Sequence, residues 1–178
     1  MNVLALCGSL RAASTNAALL RAIQSLAAPR IVVELFDEIG TLPLFNPDLE
    51  GSLPSPVQTF HRRVAAADAL MIASPEYAHG VTGTIKNALD WLVGFELFVN
   101  KPVVVLNASP RARHADAALR ETLQTMSAHI LETASVTVPL LGSGLDEKGI
   151  VASANLARTL TDMLDEIHRA VGALQRDK

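Results

Sequence analysis

The sequence predicts an α/β fold, a doubly wound five-stranded parallel sheet in the order 2-1-3-4-5 with helices on both faces. Three observations predict it. Short apolar runs rich in β-branched residues alternate with longer segments of helical period along the whole chain, the pattern of βα units. The short runs are too uniformly apolar to leave one face in water, as befits parallel strands covered on both sides. With 178 residues, 49% apolar and 19% charged, the chain has enough core formers to fold as one domain over 1–178.

The elements follow in order. Val-Leu-Ala-Leu-Cys at 3–7 reads as the first strand, and a helix is expected over 16–27, where alanine, leucine and isoleucine recur every three or four positions. The second strand falls at 31–36. The proline-rich stretch 42–56 reads as a surface excursion leading into a helix over 55–66. Ala-Leu-Met-Ile-Ala at 69–73 is the central strand. A helix over 82–93 follows, with Ile85, Leu89 and Leu92 on one stripe and Lys86 and Asp90 spaced as a surface pair. The fourth strand is placed at 103–107, a helix at 115–133, the fifth strand at 135–138 and the last helix at 149–171, after a glycine-containing loop at 141–144. Trp91, Phe95 and Phe98 lie close together and belong either to the core or to a subunit interface.

Composition narrows the function. A formal charge of −3 offers no general field for nucleic acid or an anionic membrane. Cys7 is the single cysteine, so no intrachain disulfide forms and a reducing, cytoplasmic setting is expected. The apolar stretch within the opening MNVLALCGSLRA is too short for a signal-peptide core or a membrane span. The five histidines are scattered without ligand spacing, so no metal is expected.

In an open doubly wound sheet the binding crevice forms at the carboxyl ends of strands, where neighbouring connections leave for opposite faces. The loops after strands one, three and four therefore hold the candidate residues. In the first, Gly8-Ser9-Leu10-Arg11-Ala12-Ala13-Ser14-Thr15-Asn16 brings three hydroxyls, an arginine and an asparagine to the start of a helix. Free N–H groups there, with Ser9, Ser14 and Thr15, suit a phosphate, and Arg11 adds charge and forked donors. An ordinary N-cap by Ser14 or Asn16 is the alternative. The loop has neither the Lys-[Ser/Thr] of a Walker loop nor the three glycines of the dinucleotide fingerprint.

The third loop, Ser74-Pro75-Glu76-Tyr77-Ala78-His79-Gly80, lies beside the first in this strand order, so both can face one ligand. A flat heteroaromatic ring needs polar backbone groups at its edge and apolar walls on its faces, and this corner offers both. Tyr77 and His79 also read as a half-buried aromatic and a solvent-facing histidine, and Glu76 as a solvated charge or an orienting group.

Gly8-Ser9-Leu10-Arg11 with Ser14 and Asn16, then Pro75-Glu76-Tyr77 running into Lys86-Asn87-Ala88-Leu89-Asp90-Trp91, resemble the NAD(P)H-dependent FMN reductase family over most of the chain. The resemblance implies a flavodoxin-like fold, FMN at the carboxyl edge of the sheet, NADPH or NADH as reductant, and a homodimer or homotetramer assembled near the third loop and Trp91. It implies further that Ser9, Arg11, Ser14, Thr15 and Asn16 hold the FMN phosphate, that Pro75, Glu76 and Tyr77 lie along the isoalloxazine ring, and that Ser109 closes its pyrimidine side. The chain departs from the family pattern at Ala78, at Thr82 and at Arg111-Ala112-Arg113-His114, where many members carry asparagine, proline and glycines. That basic stretch reads either as a site for NADPH phosphates or as a solvated loop.

The expected activity is electron transfer from NAD(P)H through FMN to a flavin, quinone or similar acceptor. The cofactor supplies the chemistry, and no covalent or acid–base side chain is nominated. The alternatives are a flavodoxin-like electron carrier and a non-catalytic flavin-binding module. A serine hydrolase is disfavoured by the absence of a Gly-x-Ser-x-Gly elbow.

Overall fold

Five parallel strands pair in the order β2-β1-β3-β4-β5 in the computed structural model, which describes residues 1–27 and 29–176. They are β1 (Asn2–Cys7), β2 (Val32–Leu35), β3 (Ala69–Ala73), β4 (Pro102–Leu106) and β5 (His129–Ile130). The helices are α1 (Thr15–Leu26), α2 (Ser55–Ala66), α3 (Gly83–Asp90), α4 (Arg113–Thr125), α5 (Glu147–Ala152) and α6 (Ala154–Arg176). The strand order agrees with the sequence reading, and so do the positions of the first three helices to within a few residues.

Side chains alternate across a strand, so each inner strand feeds two cores. Val3, Ala5, Met71, Ala73, Val104 and Leu106 face α1, α5 and α6. Leu4, Leu6, Leu70, Ile72, Val103 and Val105 face α2, α3 and α4. All five residues of β3 are buried, which is why its sequence shows no polar alternation. The chain leaves β1 for one face and β3 for the other, and the two loops part above adjacent strand ends. That parting opens the crevice.

Three expectations need correction. The fifth strand lies at His129–Ile130, opposite Pro102 and Val103, and not at 135–138. Of the expected stretch, Thr137 makes one isolated bridge to Asn107. Between the two, a 3-10 turn over Glu132–Ala134 interrupts the edge, and the Ser135 hydroxyl spans the break by accepting from Val105 N and donating to Leu131 O. The helix expected over 115–133 accordingly stops at Thr125. Ser127, in the left-handed region at φ 60°, turns the chain back as Ala128 N bonds Leu123 O. The last helix is broken at Ser153 into α5 and α6, with Asp146 capping the first through Gly149 N.

The stretch after β2 is ordered by two 3-10 turns, Asp37–Thr41 and Pro47–Ser52. Asn87 and Trp91 of the helical motif hold it. Asn87 Oδ1 accepts from Phe45 N at 2.8 Å, its Nδ2 donates to Pro43 O at 3.0 Å, and Trp91 Nε1 donates to the same carbonyl at 2.8 Å. Trp91 and Phe98 are buried within the chain and Phe95 stacks on His61, so these aromatics are packing residues rather than an exposed interface. Lys86 and Asp90 pair on the surface of α3 as expected.

Candidate functional site

Gly8 brings the first and third loops together. Its N–H donates to Ala73 O at 2.8 Å, and an added Cβ would stand 2.2 Å from Ser74 Oγ and 2.8 Å from Ile85 Cγ1. No other side chain permits that approach. The loops converge on a cleft of about 320 Å³ at the carboxyl edge of the sheet, within the usual range for small-molecule sites.

All nine residues singled out from the sequence line this cleft. Ser9, Arg11, Ser14, Thr15 and Asn16 come from the first loop, Pro75, Glu76 and Tyr77 from the third, and Ser109 from the fourth. Ser14 is the N-cap of α1, with Oγ accepting from Ala17 N at 3.2 Å. This leaves the amides of Thr15 and Asn16 without a protein acceptor among the described residues. The N-cap reading of Ser14 is thus borne out, and its hydroxyl also lies 4.0 Å from Cys7 Sγ. Asn16 is buried, and its Oδ1 has no hydrogen-bond partner. A buried acceptor left bare is costly without a ligand to meet it.

The third loop is a two-residue reversal in which Tyr77 and Gly80 exchange both backbone hydrogen bonds. Ala78 and His79 both take positive φ, 49° and 59°, at a cost of roughly 1–2 kcal/mol per residue. The loop presents Tyr77 more than half exposed beside the cleft. Glu76 ties this loop to the next helix. Its Oε2 accepts from Ala115 N at 2.8 Å, satisfying the first turn of α4, whose own N-cap residue, Ala112, has no side-chain acceptor. The fourth loop is held by Asn107, which accepts from Ser109 N and donates to Ala112 O. The His79 and His114 rings stack at 4.3 Å between centroids, a second tie between the two loops.

Sequence reasoning missed Ser74, Asn107, Ala108, Ala112 and Leu141 as lining residues. Ser74 and Asn107 follow the ends of β3 and β4, a position that marks them in retrospect, whereas Leu141 arrives from a remote loop. Arg111, expected only as part of the basic stretch, also lines the cleft.

The family described as NADPH-dependent FMN reductase matches residues 1–141, a span that contains all three loops. The chain belongs to this family. It is 35% identical over 155 residues to an NAD(P)H-dependent FMN reductase of Pseudomonas aeruginosa, covering 84% of this chain and 83% of that protein. To a 2-hydroxy-1,4-benzoquinone reductase of Burkholderia it is 30% identical over 165 residues, 89% of this chain and 90% of that one. Among solved structures, the flavoenzyme NAD(P)H:(acceptor) oxidoreductase FerB of Paracoccus denitrificans superposes with a TM-score of 0.76 at 27% identity, covering 94% of this chain and 97% of its own. As an FMN reductase family member, the chain is an NAD(P)H-dependent flavin oxidoreductase with FMN as its cofactor and a flavodoxin-like fold. No helix among the described residues is long and apolar enough to cross a membrane.

Proposed function

We propose that the cleft holds FMN with its phosphate against the first loop and its ring between the third and fourth loops, and that the acceptor is a quinone or a free flavin. The carrying observation is that three loops, separated in sequence, place every expected contact residue around one opening. The donor set suits the group. Hydroxyls of Ser9, Ser14 and Thr15, the two spare amides at the start of α1 and the Arg11 guanidinium form an anion cradle. The bare Oδ1 of Asn16 suits a ligand hydroxyl, such as those of the ribityl chain.

Bound there, FMN would supply the redox chemistry that links NAD(P)H to the acceptor. The chain's own residues bind and orient. Pro75 and Tyr77 offer apolar walls, while Asn107 and Glu76 hold the fourth loop and the start of α4 in register with them. Tyr77, more than half exposed, leaves the ring side open to an acceptor of planar shape.

Quinone chemistry is supported by the Burkholderia relative's name, and a lone cysteine fits a reducing compartment, the cytoplasm. Assembly as a homodimer or homotetramer is supported by Val93, Leu97 and Val99, each more than half exposed in one short stretch beside α3. The test is a titration with FMN followed by flavin fluorescence, then steady-state NAD(P)H oxidation across a panel of quinones and flavins. Quenching at one site per chain and turnover with quinones are expected. An unchanged flavin signal would sink the site, and stoichiometric reduction without turnover would make the protein a carrier.

A further inference from the structure

The cleft is electropositive although the chain is not. Its lining contains two guanidiniums, Arg11 and Arg111, and one carboxylate, Glu76, whose charge is engaged with Ala115 N. The chain as a whole carries −3. Arg11 lies in the first loop and Arg111 in the fourth, so the two cations reach the cleft from separate loops.

Two residues on from Arg111, next to but outside the cleft lining, stands a further cation. Arg113 opens α4, and its Nε reaches only the Pro110 carbonyl, at 3.4 Å. The nearby acid on the same helix, Asp116, is taken by Arg120 at 2.8 Å. Neither Arg111 nor Arg113 forms an ion pair among the described residues. The segment is nonetheless held: Asn107 fastens Ser109 and Ala112, Glu76 bonds the third amide of α4, and the His114 ring lies on His79. A tethered pair of arginines loses less freedom on gripping an anion than two on a loose loop would.

On the reading that FMN fills the cleft with its phosphate at the first loop, Arg111 and Arg113 are left to face whatever approaches the ring from outside. The reductant is such a molecule, and it is polyanionic. We propose that Arg111 and Arg113 form a second anion-recognition lip for the phosphates of the reductant, including the 2′-phosphate that distinguishes NADPH from NADH, and so set a preference for NADPH. Arginine forks match phosphate oxygens in pairs. Both side chains are exposed, so solvent and salt screen the attraction and the discrimination is about tenfold rather than thousandfold.

The test uses FMN-loaded protein and calorimetric titration with two dead-end fragments, adenosine 2′,5′-bisphosphate and adenosine 5′-monophosphate. Wild type is expected to bind the bisphosphate about tenfold more tightly, a ratio that falls severalfold in Arg111→Gln or Arg113→Gln and to near one in the double variant. The kcat/KM ratio for NADPH over NADH falls in the same order. Equal affinities in wild type, or a ratio that survives in the double variant, overturns the proposal. If the lip instead serves an anionic acceptor, the acceptor's KM shifts while the nucleotide ratio stands, and the proposal is overturned again. A chain that takes up no FMN overturns the underlying reading together with this one, whereas a chain that holds FMN without discriminating overturns this one alone.

Discussion

Arg11 is the residue whose charge the first loop can least replace. Its guanidinium has no ion-pair partner among the described residues, so a phosphate meets no competitor for it. Arg11→Ala is expected to weaken FMN binding about tenfold, the loss of one exposed charge-assisted contact, with the unfolding midpoint of the ligand-free protein unchanged. Flavin fluorescence titration beside urea denaturation separates the two effects. Gly8 acts in the opposite sense. Gly8→Ala forces a methyl against Ser74 and Ile85 and should cost about 1–3 kcal/mol in the ligand-free protein as well as affinity, read by the same pair of measurements. An unchanged midpoint would show that the loops need not touch. At this scale the first-loop residues Ser9, Arg11, Ser14 and Thr15 are legible because helix-start chemistry and strand-end position are local signals, whereas Ser109 and the ring-side reading of Pro75, Glu76 and Tyr77 come with the family resemblance. Ser74 and Asn107 also stand at strand ends, but only the folded cleft shows that they line it, and nothing in the composition of the third loop reveals that Glu76 accepts from the first turn of a helix on another segment.

Elements with a strong period are legible too. The helix read at 55–66 matches α2 to the residue, and β3 matches its apolar run. Sequence and structure part company at the edge of the sheet, where pairing is thin and a side chain, Ser135, stands in for backbone. Ser127 ends α4 in a left-handed conformation without the glycine that usually signals such a stop, so periodicity alone makes the helix too long. The Lys-Asn-Ala-Leu-Asp-Trp segment shows why a motif and its purpose differ. Asn87 and Trp91 do not line the cleft; they clamp the chain at 42–45 onto α3. Asn87→Ala strips both amide functions from that clamp and should destabilise the protein by about 2–3 kcal/mol, with faster hydrogen exchange at the Phe45 amide. FMN affinity measured on the folded fraction should change little.

For the molecule as a whole, a parallel sheet layered between helices follows from the alternation of strand and helix segments, whereas association does not. Trp91 and Phe98 serve the interior, and the apolar surface beside them is aliphatic, Val93, Leu97 and Val99. Light scattering on wild type and on Val93→Glu with Leu97→Glu is expected to show a homo-oligomer that falls to monomer in the charged variant. A wild-type monomer would refute that assembly. One hydrogen bond has a practical use on this scale. Because the first turn of α4 borrows its acceptor from the loop expected to face the ring, the Ala115 amide is a resident spectroscopic reporter. Labelled with nitrogen-15, that single resonance should shift whenever an occupant moves Glu76, giving a readout of occupancy that requires neither colour nor turnover.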